Sequence, residues 1–382
     1  MSIKIFESRE NLKNKLRNRG LEFDSNELDV ILIKYNYFDL FNGFESLLLS
    51  SSQPKKYIGV KLKDFLNLYE FDELFTARIL RYLNKFEKSL KSSISYHFTS
   101  VYCNTINDTM QYTNKENYMD PKETDINNIK YCRYSNNYPF LNYQNKKIYN
   151  EFDNFCLFKP YFLTNLVDKN DHIKISFYTD INYTAPSNVA IYRDTNHNLN
   201  YNTAVPFWVA IETLTFGEIL RLLHYLKDEI MEKVLRDFKL SLSKRMIFLN
   251  IIDFLLCLRN SCAHNSLINR FRTPNKYKVN AFLVSIFNLK PSNTDNSQYS
   301  ILKLFDVIKL LSYFEDISEL KEILDDMINK NNTCLGFDRG NELNKRILKR
   351  MGCEDYLLWE KLFLKKLEYM KLWFIMYKKF LT

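Results

Sequence analysis

Glycine is scarce in this chain: seven occur in 382 residues, at Gly20, Gly43, Gly59, Gly217, Gly336, Gly340 and Gly352. None are spaced to build a G-x-G-x-x-G turn or a phosphate loop ending in G-K-[ST]. That excludes the common nucleotide-binding α/β folds, and it argues against glycine-turn-rich β barrels. Cysteine is sparse and scattered. The seven thiols form no C-x-x-C pair, which excludes a zinc knuckle or a dithiol redox motif and points to a reducing compartment. Histidine occurs five times, with no H-x-x-x-H pair, so no metal and no cofactor is expected. Long apolar runs are missing as well. The longest, Phe248 to Leu258, is interrupted by Asn250 and Asp253 and is too short for a bilayer. The opening MSIKIFESRENLKNK lacks the apolar core of a signal peptide. A soluble, cytoplasmic protein with no membrane partner is expected.

What the chain does contain is helical pattern, aromatic bulk and positive charge. Hydrophobic residues make up 46% and aromatics 15%, enough for a sizeable core and for two or three packed units. Ile79, Leu83, Phe86, Leu90, Ile94 and His97 recur at steps of three and four, which predicts one face of a long helix over about 72–102. Residues 104–204 lose that period and are rich in Asn, Asp and Tyr, with IKISFYTDI (173–181) reading as short strands. The helical signal returns at Val205. Pro206 suits a first helical turn, FWVAIETLTFGEILRLLHYL (207–226) reads as one helix, and SKRMIFLNIIDFLLCLRNSCAHN (243–265) as another. Gly217 inside the first of these predicts a close helix–helix approach. Trp208 and Phe216, at helical spacing, read as core. Two more helical regions follow at 300–330 and 341–382. The net charge is +9, and residues 341–382 hold ten Lys/Arg against five Asp/Glu, a local excess of +5.

The chemistry centres on Arg259-Asn260-Ser261-Cys262-Ala263-His264. An arginine and a histidine converging on one phosphate could cleave RNA without a metal. Arg259 would stabilise charge on the phosphoryl oxygens, and His264 would move the proton of the attacking or leaving oxygen. The spacing resists a simple helix. Five residues turn about 500°, leaving the side chains about 140° apart. They converge only if the helix begins, ends or distorts between them, or if the target groove is wide. Asn260 and Asn265 beside the pair suit a polar cleft.

Three blocks in order carry a family resemblance. NYFDLFNGF (36–44) resembles N-Y-Y-x-L-S-G-Y. VPFWVAIETLTFGEILRL (205–222) resembles P-L-W-x-x-x-E-x-x-[ST]-F-G-x-[LI]-S. LRNSCAHNSLINR (258–270) resembles L-R-N-x-x-A-H-[HN]-x-x-[LI]-[WY]-N-R. FEKSLKSSISYH (86–97) is similar to a fourth, helical segment. The combination resembles the AbiD/AbiF-like abortive-infection family of phage-defence proteins, within the HEPN superfamily of all-α ribonucleases. The resemblance covers about residues 30–272, broken by the Asn/Tyr-rich insert. It implies a catalytic Arg259, Asn260 and His264, RNA as substrate, and a homodimer in which two motifs meet.

Other residues carry two readings each. Glu212 falls at the family block's glutamate and could orient Arg259 or form a structural salt bridge. Glu87 and Lys91 form an i,i+4 pair, worth a few tenths of a kcal/mol on an exposed helix, and the resemblance places them at an active-site rim. Asn265 joins them as site support. Lys345, Arg346, Lys349 and Arg350, interleaved with Trp359, Tyr369, Trp373 and Tyr377 further on, suit RNA, or else an amphipathic helix whose aromatics pack inward.

The expected architecture is mostly α. It comprises an N-terminal helical segment (1–61), a HEPN-type helical bundle (62–275) interrupted by an irregular, partly β insert (about 104–204), and a basic C-terminal helical extension (276–382). The expected function is a metal-independent endoribonuclease acting as a toxin-type antiphage effector, restrained by an inhibitory protein or RNA. The alternative is a non-catalytic RNA-binding sensor or a regulatory dimer scaffold on the same bundle.

Overall fold

The structure is a computed structural model and describes residues 6–120, 152–169, 173–274, 279–292 and 301–364. The described chain is mostly α-helical, and its strands are only two residues long. It forms two compact units that divide the sequence at other points than the three expected segments. The first holds 1–83, 258–272 and 302–382; the second holds 84–257 and 273–301.

The first unit opens with two short helices, Arg9–Asn18 and Ser25–Lys34. Each starts where a side-chain oxygen, from Ser8 and Asp24 respectively, accepts orphan backbone N–H groups. A π turn, Phe38–Asn42, runs into the helix Gly43–Leu48. The long helix then spans Leu62–Tyr102, ten residues longer than its sequence pattern suggests. Its early start has a local cause, since the Asp64 carboxylate accepts the Lys61 N–H at 2.7 Å. Phe65, Leu68, Phe75 and Ile79 of its first half are fully buried.

Two later helices of this unit, Leu320–Leu335 and Phe337–Met351, turn back on each other at Gly336. Here glycine is a packing requirement. A Cβ on Gly340 would lie 2.5 Å from the Asn332 Cα, a backbone atom with nowhere to go. Gly340→Ala is therefore expected to cost about 1–3 kcal/mol through overpacking.

The second unit contains the rest of the long helix, with Phe86, Leu90 and Ile94 fully buried as the periodicity predicts. The expected helix over 207–226 is broken. Phe207–Ala210 is a single turn, Ile211–Thr213 a 3-10 turn, and Leu214 is extended. Thr215 and Glu218 then form a capping box that starts Phe216–Tyr225. Pro206 lies one position before the first turn, and its carbonyl accepts the Ala210 N–H at 3.1 Å. Gly217 thus sits in a first turn. A Cβ there would meet only Leu256, at 3.9 Å, so the predicted close approach is absent. Gly217→Ala should leave stability unchanged or raise it by up to about 1 kcal/mol, opposite in sign to Gly340→Ala; urea denaturation of both variants checks the pair.

The polar stretch after Leu226 forms another helix, Asp228–Asp237. Arg245 closes the end of its predecessor, donating to the carbonyls of Leu223, His224 and Leu226 at 2.8–3.1 Å. In the insert, Ile175–Tyr178 forms a helical turn where strands were expected, and a small hairpin pairs Tyr192–Arg193 with Leu199–Asn200. Aromatics fill this core. Tyr112 stacks on Phe207 at 4.7 Å, and Phe98 contacts Phe207 and Tyr118.

The helix Arg245–Ala263 passes from the second unit into the first. With the preceding turn it spans Leu242–Ala263 and has the length and hydropathy of a membrane span, which the run Phe248–Leu258 alone does not suggest. Phe248, Ile252 and Leu255 are fully buried in the protein, as a core helix requires. Its Asp253 is buried too, and Oδ2 meets no hydrogen-bond donor among the described residues. Burial pushes this carboxyl well above its ordinary range. The folded state therefore holds the proton more tightly than the unfolded chain, and the wild type loses stability as pH rises above the ordinary carboxylate pKa. Asp253→Leu should raise stability by about 1–3 kcal/mol at pH 7 and by less near pH 4, measured by urea denaturation at both.

Candidate active site

The Arg259–His264 motif occupies the last turns of the Arg245–Ala263 helix. Leu258 and Cys262, four residues apart, face inward and are buried. Burial pushes the Cys262 thiol up to about 12, so this cysteine is a packing group and not a nucleophile at neutral pH. Arg259 is half-buried, while Asn260, His264 and Asn265 are exposed.

Asn265 ends the helix. It adopts the left-handed conformation, φ +50°, with its N–H on the Cys262 carbonyl, and the Ser266 N–H reaches back to the Ser261 carbonyl at 3.0 Å. This is a Schellman closure with asparagine in place of the usual glycine. The His264 N–H still donates to the Asn260 carbonyl at 3.1 Å, so the helix runs unbroken up to His264. The helix ends after His264 and does not distort between it and Arg259. The two therefore leave the helix about 140° apart.

The chain after His264 is held by a buried carboxylate. Asp72 accepts N–H from Ile268 and Asn269, each at 2.8 Å, and the Asn269 side-chain amide at 2.7 Å. Burial raises its pKa to about 6 against the opposing pull of these donors. Asn269 in turn accepts from Arg350 at 3.1 Å, and Arg350 also donates to the Gly43 carbonyl and the Ser46 hydroxyl. Arg270 donates to the Asn42 carbonyl, and a Cβ on Gly43 would collide with Leu267. The 36–44 and 258–270 blocks thus meet in one unit, locked by Arg350 from the helix Phe337–Met351.

This placement changes the reading of the four basic residues on that helix. Arg350 is turned inward and its pKa is lowered to about 10, first by burial and then by Arg270. Arg346 donates toward the carbonyls of Leu47 and Leu49. Lys345, Arg346 and Lys349 are exposed; Arg346 also pairs with Glu342 at 3.0 Å, and Lys349 sits 3.4 Å from Glu354. Trp359 is fully buried with its indole N–H on the Cys353 carbonyl. Tyr369, Trp373 and Tyr377 lie outside the described residues.

In the second unit, Glu87, Lys91 and Glu212 come together. Lys91 lies 3.2 Å from Glu87, donates to the Glu212 carbonyl at 3.3 Å, and stands 3.9 Å from its carboxylate. Glu87 and Lys91 are buried, so this is not the weak exposed pair that spacing alone suggests. Trp208, expected in the core, is 58% exposed, whereas Phe216 is buried. The break after Thr213 explains the difference, because Trp208 and Phe216 are not on one helix.

Three more histidines are accounted for. His97 binds Asp237 at 2.8 Å, and the same carboxylate oxygen accepts from Ser93. His224 is buried, and burial together with Arg245 lowers its pKa well below the usual value, so it is neutral at pH 7. His197 occupies a tight turn at φ +66°. His172 lies outside the described residues.

A family model, described as Abi-like protein, matches residues 30–269, well over half of the chain. The protein belongs to that Abi-like family. No curated protein and no solved structure matches it.

Proposed function

We propose that this protein is a HEPN-type endoribonuclease used in abortive infection, cleaving RNA without a metal. The observation that carries the reading is the half-buried Arg259 with the exposed Asn260 and His264 at one helix end, in a chain of the Abi-like family. In the proposed reaction the RNA 2′-oxygen attacks the adjacent phosphorus. The P–O2′ bond forms and the P–O5′ bond breaks, leaving a 2′,3′-cyclic phosphate and a 5′-hydroxyl. His264 takes the 2′-hydroxyl proton and passes a proton to O5′, and Arg259 stabilises the phosphoryl oxygens. Arg259 and His264 diverge on an unbroken helix. A homodimer that faces the Arg259 of one copy with the His264 of the other would bring both onto one phosphate. Such an enzyme needs restraint in the uninfected cell, from a protein or RNA inhibitor.

The test is RNA cleavage by purified wild type, Arg259→Ala and His264→Ala, with and without EDTA, beside induced expression in cells. Cleavage and growth arrest by the wild type alone, unaffected by EDTA, support the nuclease. Equal behaviour of all three proteins would leave the RNA-binding alternative standing.

A further inference from the structure

Immediately beyond His264 the first unit contains a cavity of about 330 Å³. Asn265 and Ser266 line it from the helix end, Tyr69 and Glu73 from the Leu62–Tyr102 helix, and Leu80 and Leu267 provide apolar wall. Asp72 also reaches this wall, but its oxygens are occupied by Ile268 and Asn269. Glu73 is exposed and takes a hydrogen bond from the Tyr69 hydroxyl, and its carboxylate is the second one on this wall. The Asn265 and Ser266 backbones are spent on closing the helix, while their exposed side chains stand at the cavity. A planar apolar body with a polar edge fits such walls. A carboxylate offers two oxygens to a pair of adjacent N–H donors. Among the four RNA bases only guanine presents two neighbouring donors, N1–H and N2–H, on one edge. Its O6 and N7 acceptors are left for the amide and hydroxyl.

We propose that this cavity binds a guanine base of single-stranded RNA next to the scissile phosphate, with Glu73 reading its N1–H and N2–H. The inference rests on the nuclease reading for the identity of the ligand, but its test is a binding measurement. The full-length His264→Ala protein is titrated with fluorescein-labelled oligouridylates carrying one central guanosine, inosine, adenosine or cytidine. The guanosine strand is expected to bind about fivefold or more tightly than oligouridylate, with inosine, lacking the N2 amine, in between. Glu73→Gln, in the same background, should collapse the difference while leaving the melting temperature unchanged. Asn265→Ala should narrow it. Equal affinity for all strands, no binding to any, or a guanosine preference that survives Glu73→Gln would overturn the proposal. Cleavage of the same strands by the wild type separates the two readings. Guanine-dependent binding without cleavage removes the nuclease alone. Cleavage indifferent to guanine removes the base site alone.

Discussion

His264→Ala is expected to slow RNA cleavage about 10²–10⁴-fold, the usual contribution of a positioned general acid or base. Arg259→Ala should cost about 10²–10³-fold, as for a lost donor to a developing oxyanion. Arg259→Lys should not restore the rate, because a point charge does not replace a planar fork on two phosphoryl oxygens. Together the two alanine substitutions should cost little more than the worse one, since the residues act as a unit. The unbroken helix between them makes a sharper test available. If each site takes Arg259 from one copy and His264 from the other, mixing the two inactive variants rebuilds one intact site per mixed dimer. Activity should then return to about a quarter of wild type after subunit exchange. If each site lies within one chain, mixing restores nothing, because every chain lacks one member of its pair. Multi-turnover cleavage of a fluorogenic RNA, before and after co-refolding, reads the difference.

Part of the fold around this candidate site is legible in the sequence. The six-residue stripe from Ile79 to His97 marked the long helix, because buried positions on one face must repeat at the helical period. The 258–270 block was legible from its composition, with polar Arg259, Asn260, His264 and Asn265 following an apolar run. What periodicity missed was set by single polar contacts. Asp64 starts the long helix early, and the Thr215–Glu218 box breaks the next one, exposing Trp208. Asp72 lies close to 200 residues from the backbone it holds, so no local pattern announces it. Arg350 reads as surface charge because sequence cannot show a guanidinium turning inward to a carbonyl. A capping-box scan of 213–218 would have found the break. Nothing comparable would have found Asp72.

Asp72→Ala is expected to destabilise the protein by about 3–5 kcal/mol. The reason is the set of donors left behind: two backbone N–H groups and one amide, all buried, lose the Asp72 carboxylate they share at once. Asp72→Asn keeps the shape but places an N–H₂ against N–H, and should cost about 1–3 kcal/mol. The pH dependence has a definite sign. The folded pKa, about 6, lies above the ordinary aspartate value of 3.8. Folding is therefore favoured most when Asp72 is protonated in both states, and that advantage falls away as pH climbs from about 4 to 6. Wild type should therefore exceed Asp72→Asn by a wider margin at pH 4 than at pH 7. Urea denaturation across that range measures it, and a margin that shrinks toward pH 4 would contradict the assignment. Asp253 is the natural comparison. Both carboxyls are buried, but three donors hold Asp72 near pH 6, whereas Asp253, with no donor at Oδ2 among the described residues, is pushed much further. Removing Asp253 should therefore stabilise the fold and removing Asp72 should break it. The difference lies in the donors each carboxyl meets, because its burial is the same.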